Sequence, residues 1–174
     1  VLHRGREVGT VRWSLLGRHN VMNALAALAA AHAVGVEPAQ VIAALAGFAS
    51  VKRRLEVLGT QSGVTVYDDF AHHPTAIATT LEGLRAKVGD ARILVAMEPR
   101  SNSMRLGAHA DALAPSLALA DAVVFLHRPE LAWDAGAVIA AVRGQALAVA
   151  DTDALLAALH AEAHPGDHVV FMSN

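Results

Sequence analysis

The second part of the chain shows a regular pattern of short apolar segments separated by helical ones. The apolar runs recur at steps of 23 to 30 residues and are centred near Val66, Leu94, Val124, Leu147 and Val170. Between them, apolar residues recur at helical spacing, most clearly at Ile77, Leu81, Leu84 and Val88 and again at Leu155, Leu156 and Leu159. Strands that alternate with helices are typical of βαβ units. The pattern predicts an α/β fold over residues 51–174, with a Rossmann-like, mostly parallel sheet covered by helices on both faces.

The first 50 residues follow a different pattern. Residues 1–16 alternate apolar and polar positions, which predicts one or two antiparallel strands with Val11, Trp13 and Leu15 on one face. An alanine-rich run at residues 24–34 predicts a helix, and a second helix is expected from Pro38 to near Gly47. A charged segment follows at residues 51–56. Glycines at positions 59 and 63 then predict a hairpin. We therefore expect a domain boundary between residues 50 and 51.

Composition restricts the class of protein. The chain is 54% hydrophobic and 17% charged, which indicates a packed globular protein. A net charge of −2 gives no electrostatic argument for nucleic acid or an anionic membrane, and no apolar stretch approaches the ~20 residues of a membrane span. The absence of cysteine excludes disulfides and thiolate chemistry and fits a cytoplasmic protein. Because the chain begins at Val1 and stops directly after an apolar strand, we expect it to be a piece of a longer protein.

The loop after the first strand of the predicted parallel sheet carries the strongest candidate chemistry. The apolar run ends at Asp68 and Asp69, His72 and His73 follow, and Pro74 opens a helix. Ligands of open parallel sheets collect at the carboxyl ends of the strands, and a helix N-terminus favours anions. One interpretation is a carboxylate that orients a ribose or an ammonium, with an imidazole near a phosphate. The other is an Asx turn and a helix cap without a ligand.

A metal site is not favoured at this loop. Adjacent residues of an extended loop point to opposite sides, and a third ligand is not obvious.

Three other segments have two interpretations each. His19, Asn20 and Asn23 either cap a helix or form a donor and acceptor surface for a nucleotide. Arg53 and Arg54 are either a solvated charge run or a polyphosphate-binding pair. Residues 98–105 follow the next strand, where two arginines could bind a carboxylate or no ligand at all. Neither lysine of the chain follows a glycine, so a phosphate-binding G-x-x-x-x-G-K-[ST] loop is absent from this sequence.

Together these motifs resemble the Mur ligase family of ATP-dependent amide-forming enzymes. The resemblance runs in order through Gly17-Arg18-His19-Asn20-x-x-Asn23, Arg53-Arg54-x-Glu56 and Tyr67-Asp68-Asp69-Phe70-Ala71-His72-His73-Pro74-Thr75. It implies a three-domain ligase with a UDP-sugar domain, a central P-loop ATPase and a Rossmann-like C-terminal domain. Residues 1–50 would be the helical tail of the central ATPase domain, and residues 51–174 the C-terminal ligase domain. The fragment alone would be inactive, since it lacks the P-loop.

Within the family, the Asp-Asp-aromatic-small-His-His-Pro-Thr pattern is similar to the branch that acts on UDP-N-acetylmuramate. One enzyme of this branch adds L-alanine, and another adds the tripeptide L-alanyl-γ-D-glutamyl-meso-diaminopimelate in peptidoglycan recycling. Residues 98–107 and 172–174 resemble the recycling enzyme. The L-alanine ligase and a non-catalytic Rossmann-like binding module are the alternatives. The resemblance implies ATP and Mg²⁺ as cofactors, with the Mg²⁺ ligands outside this chain, and an acyl phosphate intermediate.

The resemblance also implies residue roles. His19, Asn20 and Asn23 would contact the nucleotide base and ribose, Arg54 the phosphates and Asp69 the ribose. Asp69 and His72 would be the catalytic residues. The residues expected to contact the incoming peptide are His73, Arg100, Asn102, Met104 and Arg105.

Overall fold

The computed structural model describes residues 1–128, 131 and 133–174. The chain divides into two compact units, Val1–Val51 and Lys52–Asn174, and each is described by itself.

The first unit consists of a short hairpin and two helices. Strand β1 (Leu2–His3) pairs antiparallel with β2 (Arg6–Glu7). Helix α1 (Arg18–Ala33) buries no residue, whereas α2 (Pro38–Ala46) buries Pro38, Val41 and Ile42. Proline suits the first turn of α2 because its missing N–H would have no partner there.

Two antiparallel strands and the alanine-rich helix of the first unit occur as predicted, but their bounds differ from the prediction. Residues 8–16 form no strand, because the described part of this unit provides no neighbouring strand to pair with them. Helix α1 contains the predicted alanine-rich run and begins at Arg18, and its N-cap is Gly17 without a side-chain hydrogen bond. His19, Asn20 and Asn23 therefore lie inside the helix and do not cap it.

The second unit is built on a six-stranded sheet with the order β3-β4-β8-β5-β6-β7. The strands are β3 (Glu56–Gln61), β4 (Val64–Asp69), β5 (Ile93–Met97), β6 (Ala122–Leu126), β7 (Gln145–Val149) and β8 (His168–Met172). The edge pair β3 and β4 is antiparallel and forms the predicted hairpin, and all other neighbours are parallel. The predicted Rossmann-like, mostly parallel sheet is confirmed.

Helices cover both faces of this sheet. They are α3 (Pro74–Val88), α4 (Asn102–Arg105), α5 (Ala110–Ser116), α6 (Ala135–Ala141) and α7 (Thr152–Glu162). On one face α3, α5 and α6 pack on Val95, Phe125 and other side chains of the strands. On the other, Leu155 and Leu159 of α7 pack on Leu94, Val124 and Val169. Because successive residues of a strand point to opposite faces, β5 is apolar and buried throughout.

The register of the parallel strands brings their carboxyl ends to one edge of the sheet. Met172 pairs with Asp69 on one side and with Met97 on the other, and Met97 pairs with Phe125. The segments that follow β4, β8, β5 and β6 therefore leave the sheet side by side. We refer to this region as the carboxyl edge.

Candidate functional site

Polar contacts run along the carboxyl edge across four strand ends. After β6, Arg128 donates from Nε to Oε1 of Glu98 at 2.7 Å. Glu98 follows β5 and accepts a second hydrogen bond from Oγ of Ser173 at 3.1 Å. Ser173 follows β8, and its carbonyl accepts from the guanidinium of Arg53. Arg53 in turn donates from Nε to Asp68, at the end of β4, at 3.2 Å. The ends of β6, β5, β8 and β4 are thus linked by charged and polar side chains.

Asp69 is buried within this edge, with 2% of its surface exposed. Oδ2 accepts from the backbone N–H of Leu55 at 2.7 Å, and Oδ1 accepts from the N–H of Ala71 at 2.7 Å and from the hydroxyl of Thr80 at 3.3 Å. Burial raises the pKa of the Asp69 carboxyl, while the two backbone hydrogen bonds and the charge of Arg54 act to lower that pKa. The geometry gives Asp69 a positioning role, and the ribose contact stays a prediction.

The two adjacent arginines differ in their surroundings. Arg53 has left-handed backbone angles (φ 58°), and its guanidinium lies 5.0 Å from the centre of the Phe70 ring. Its N–H donates to Glu56 at 2.9 Å, and its carbonyl accepts from the N–H of Phe70 at 2.8 Å. The Arg54 side chain is exposed and forms no ion pair with any residue that the structure describes. Of these two arginines, Arg54 is the one whose guanidinium is available for a ligand.

Each histidine of the Asp68–His73 loop forms a hydrogen bond through its Nδ1 atom. Nδ1 of His72 lies 2.9 Å from the Phe70 carbonyl oxygen, so Nδ1 is the donor and the neutral ring keeps a lone pair on Nε2. Nδ1 of His73 accepts from the N–H of Thr75 at 3.3 Å and caps α3. The His73 ring also contacts His109, the N-cap residue of α5, with ring centres 4.4 Å apart. An imidazole therefore lies at the start of α3 and another at the start of α5.

The segment after β5 divides into exposed and buried residues. Ser101 caps the single turn of α4 by accepting from the N–H of Met104 at 3.4 Å. Arg100, Asn102 and Arg105 are exposed, as a contact with a ligand requires.

Met104 contradicts its predicted role as a substrate contact. It is 2% exposed and lies in the core cluster with α3 and α5. Its carbonyl accepts from Nε1 of Trp133 at 2.6 Å. The side chain is apolar and unbranched, so burial in a gap between helices is its favourable environment.

In the first unit, Asn20 and Asn23 lie three residues apart on α1, so they lie on one side of the helix. The Asn20 amide donates to the Leu16 carbonyl at 2.7 Å, and Asn23 is exposed. His19 is half-buried next to them.

A groove of about 520 Å³ lies between α5 and α6, lined among others by Ala114, Trp133 and Arg143. None of the predicted site residues lines it.

Among the residues that the structure describes, no group of three or more His, Asp or Glu side chains is arranged to hold a metal ion. None of the described helices combines the length and the apolar character that crossing a bilayer needs.

Sequence reasoning missed His109 and Arg128. Arg128 follows a strand of the parallel sheet, so the rule that ligands collect at carboxyl ends could have identified it. His109 has no comparable signal, because its contact with His73 depends on how α3 and α5 pack.

Comparison with known proteins identifies the family of this chain. Residues 53–174 match the Mur ligase, glutamate ligase domain. The chain belongs to the Mur ligase family.

Individual members of the family resemble this chain over most of its length. It is 50% identical to the UDP-N-acetylmuramate–L-alanyl-gamma-D-glutamyl-meso-2,6-diaminoheptandioate ligase of Escherichia coli. The match covers the whole of this chain and 38% of the Escherichia coli protein. The chain is 39% identical to a UDP-N-acetylmuramate–L-alanine ligase of a Mycobacterium species, over 93% of this chain and 35% of that one. The crystal structure of a murein peptide ligase from Psychrobacter arcticus superimposes with a TM-score of 0.72 at 42% identity, over 94% of this chain and 35% of that one. This chain thus spans little more than a third of these relatives.

Proposed function

We propose that this chain is the C-terminal part of an ATP-dependent ligase that joins UDP-N-acetylmuramate to L-alanyl-γ-D-glutamyl-meso-diaminopimelate in peptidoglycan recycling. The observation that carries the proposal is the 50% identity to the Escherichia coli ligase across the whole chain. The residues of the carboxyl edge supply part of the groups that such a reaction needs. Residues 1–50 are, in this proposal, the tail of the central ATPase domain. Because the reaction consumes ATP and a UDP-sugar, we place the protein in the cytoplasm.

The nucleotide side of the proposal rests on the residue roles that the family resemblance implies. His19, Asn20 and Asn23 offer an imidazole and two carboxamides to the base and ribose of ATP. Arg54 offers an exposed guanidinium, which pairs well with phosphate oxygens. Asp69 holds the backbone next to Arg54, because it accepts a hydrogen bond from the N–H of Leu55.

The chemistry has two steps. ATP transfers its γ-phosphoryl group to the muramyl carboxylate, which gives an acyl phosphate and ADP. The amine of the tripeptide then attacks the acyl carbon, and the tetrahedral intermediate collapses to the amide and phosphate. The attacking amine must lose a proton, and the Nε2 lone pair of His72 is available to accept it because Nδ1 is already a donor. We assign His72 as the catalytic residue of this chain.

Magnesium supplies charge neutralisation to the phosphates in such reactions. The residues that the structure describes provide no cluster of three carboxylate or imidazole ligands. In this proposal, as the family resemblance implies, the Mg²⁺ ligands lie outside this chain, and no step of this chain is assigned to the metal.

The peptide side of the proposal uses exposed residues after β4 and β5. The diaminopimelate end of the tripeptide has a carboxylate and an ammonium, which require charged or polar partners. Arg100 and Arg105 can pair with the carboxylate, Asn102 can donate and accept, and His73 lies at the same edge. Met104 is not included, since it is buried.

Ligation of free L-alanine is the second candidate function. The identity of 39% to the Mycobacterium ligase favours it, although that identity is lower than to the Escherichia coli protein.

Substrate selection tests the proposal directly. The 174 residues replace the matching segment of the Escherichia coli ligase, and phosphate release is measured with UDP-N-acetylmuramate, ATP and either the tripeptide or L-alanine. We expect release with the tripeptide only. Release with L-alanine only would establish the second candidate instead.

The peptide site is tested in the same chimera. Arg100→Ala should raise KM for the tripeptide about tenfold, the effect of losing one charge-assisted pair. Arg143→Ala is the matched control, because Arg143 is exposed after α6 and before β7, away from the carboxyl edge. Equal effects of both variants would remove Arg100 from the site.

A further inference from the structure

Residues 53–55 are held in place by hydrogen bonds and by contacts of the Arg53 side chain. Both backbone polar groups of Arg53 are bonded, to Glu56 and to Phe70, and its guanidinium contacts Asp68, the Ser173 carbonyl and the Phe70 ring. Two residues later, the N–H of Leu55 donates to the buried Asp69. Arg54 is the single residue between these two anchors, and its side chain is exposed.

This segment also holds strained backbone angles. Arg53 and Leu55 have φ values of 58° and 47°, in the left-handed region that is unfavourable for a residue with a Cβ. Such strain persists only where surrounding contacts over-determine the conformation, and it concentrates at functional sites. Here the strained residues are those on either side of Arg54. Their conformation determines the direction in which the Arg54 side chain leaves the backbone.

The contacts of Arg53 connect this segment to the carboxyl edge. Asp68 ends β4, and Ser173 follows β8. The N–H of Ser173 also lies 3.4 Å from the Asp69 carbonyl, which joins the ends of these two strands. Arg53 therefore fixes the backbone at Arg54 relative to two strands of the sheet.

We propose that Arg53 is a positioning residue, which holds residues 53–55 against Asp68, Phe70 and Ser173 so that Arg54 presents its guanidinium to the phosphates of ATP. The inference rests on the proposed function, and it separates two adjacent arginines into two roles. The Arg53 charge is used within the protein, and the Arg54 charge is available to the ligand. In this arrangement, loss of Arg53 acts on ATP only through Arg54.

A double-mutant cycle in the complete ligase that contains these residues tests this dependence. KM for ATP and kcat are measured for wild type, Arg53→Ala, Arg54→Ala and the double variant. We expect Arg54→Ala to raise KM for ATP about tenfold, as for one lost charge-assisted contact. Arg53→Ala should raise KM severalfold in the wild-type background and less than about twofold in the Arg54→Ala background.

Three further variants separate positioning from general damage. Asp68→Asn removes the ion pair with Arg53 by a smaller change, and it should also raise KM for ATP. It keeps the inference testable if Arg53→Ala does not fold. Arg85→Ala is the matched control, since Arg85 bonds the Leu119 carbonyl and Asp121, ahead of β6 and far from the carboxyl edge. It should lower Tm and leave KM for ATP unchanged. Lysine at position 53 keeps the charge but not the two-pronged guanidinium, so Arg53→Lys should recover only part of the loss.

The outcomes distinguish the inference from the proposed function. Equal increases in KM on Arg53→Ala in both backgrounds, or no increase in a folded variant, would overturn the positioning role alone. An unchanged KM in Arg54→Ala would overturn the phosphate role of Arg54 and the inference with it. A wild-type ligase without ATP-dependent activity would overturn the proposed function itself.

Discussion

Asp69 shows at the scale of one residue how burial and hydrogen bonding act on a carboxylate in opposite directions. Burial raises its pKa, and the N–H groups of Leu55 and Ala71 lower it. The same hydrogen bonds connect the segment before β3, the loop after β4 and, through Thr80, helix α3. A single side chain thus joins three parts of the carboxyl edge.

Replacing Asp69 by asparagine should therefore destabilise the second unit. Both oxygens of Asp69 accept hydrogen bonds, and an asparagine must place its NH₂ group against one of these donors. We expect a loss of about 1–3 kcal/mol in the free energy of unfolding, the cost of leaving a buried donor without an acceptor. Urea denaturation followed by circular dichroism measures it. Asp90→Asn, at an exposed turn, is the control and should have little effect.

We expect His168 to make the stability of the fold depend on pH. Its Nδ1 lies 3.0 Å from the Tyr67 hydroxyl, and burial, followed by the charge of Lys87, lowers its pKa below the ordinary 6.5. Below pH 6.5 the unfolded chain takes up a proton that the folded chain does not, so the free energy of unfolding falls as the pH falls.

We expect His168→Gln to remove this contribution. Between about pH 7.5 and pH 5.5, the wild type should lose stability relative to the variant by at most about 1.4 kcal/mol per pH unit. Denaturation curves at each pH give the difference, and His160→Gln, at an exposed position of α7, is the control for losing a histidine. Parallel pH profiles for wild type and His168→Gln would show that His168 does not cause the dependence.

Among the elements of the sheet, the start of β7 lies very close to the backbone that precedes β6. A Cβ added at Gly144 would lie 2.5 Å from the Asp121 carbonyl oxygen and 2.9 Å from that of Ala120. The next residue, Gln145, donates from its N–H to the same Asp121 carbonyl at 3.1 Å. The first pairing of β7 with β6 therefore requires a residue without a side chain.

Gly144→Ala should push the start of β7 away from β6. Overpacking of this kind costs about 1–3 kcal/mol, and here the obstacle is backbone that cannot rotate aside. A lowered Tm, together with faster hydrogen exchange at residues 145–149, would be the expected result. Gly59→Ala is the matched control, because nothing lies within 4 Å of the added Cβ and its Tm should stay close to wild type.

Elements with a strong local pattern were predictable from the sequence, and positions set by packing were not. The strands of the parallel sheet and helices α3 and α7 have clear apolar periods, and they occur where predicted. Residues 8–16 have an equally clear alternation but no neighbouring strand in the described part of their unit. Met104 lies in a polar segment, and its burial depends on Trp133 and α5. The different surroundings of Arg53 and Arg54 depend in part on the Ser173 carbonyl, which binds Arg53 from the far end of the sequence.

At the scale of the whole chain, the two units differ in how much core they contain. The second unit holds both hydrophobic clusters, one on each face of the sheet. In the first unit α1 buries no residue, and α2 buries Pro38, Val41 and Ile42. A segment of about 50 residues with so small a core is marginal by itself, because a short chain buries too little apolar surface to offset its conformational entropy.

We therefore expect residues 52–174 to fold without residues 1–51, and not the reverse. The shorter protein 52–174 should keep its sheet content by circular dichroism and unfold in one cooperative transition, because every strand of the large sheet and both clusters lie within it. The peptide 1–51 should show little cooperative unfolding. Separate expression of the two segments, with thermal and urea denaturation of each, checks the expectation. Loss of cooperative unfolding in 52–174 would mean that the first unit contributes to the stability of the sheet, and cooperative unfolding of 1–51 would mean that its three buried residues are a sufficient core.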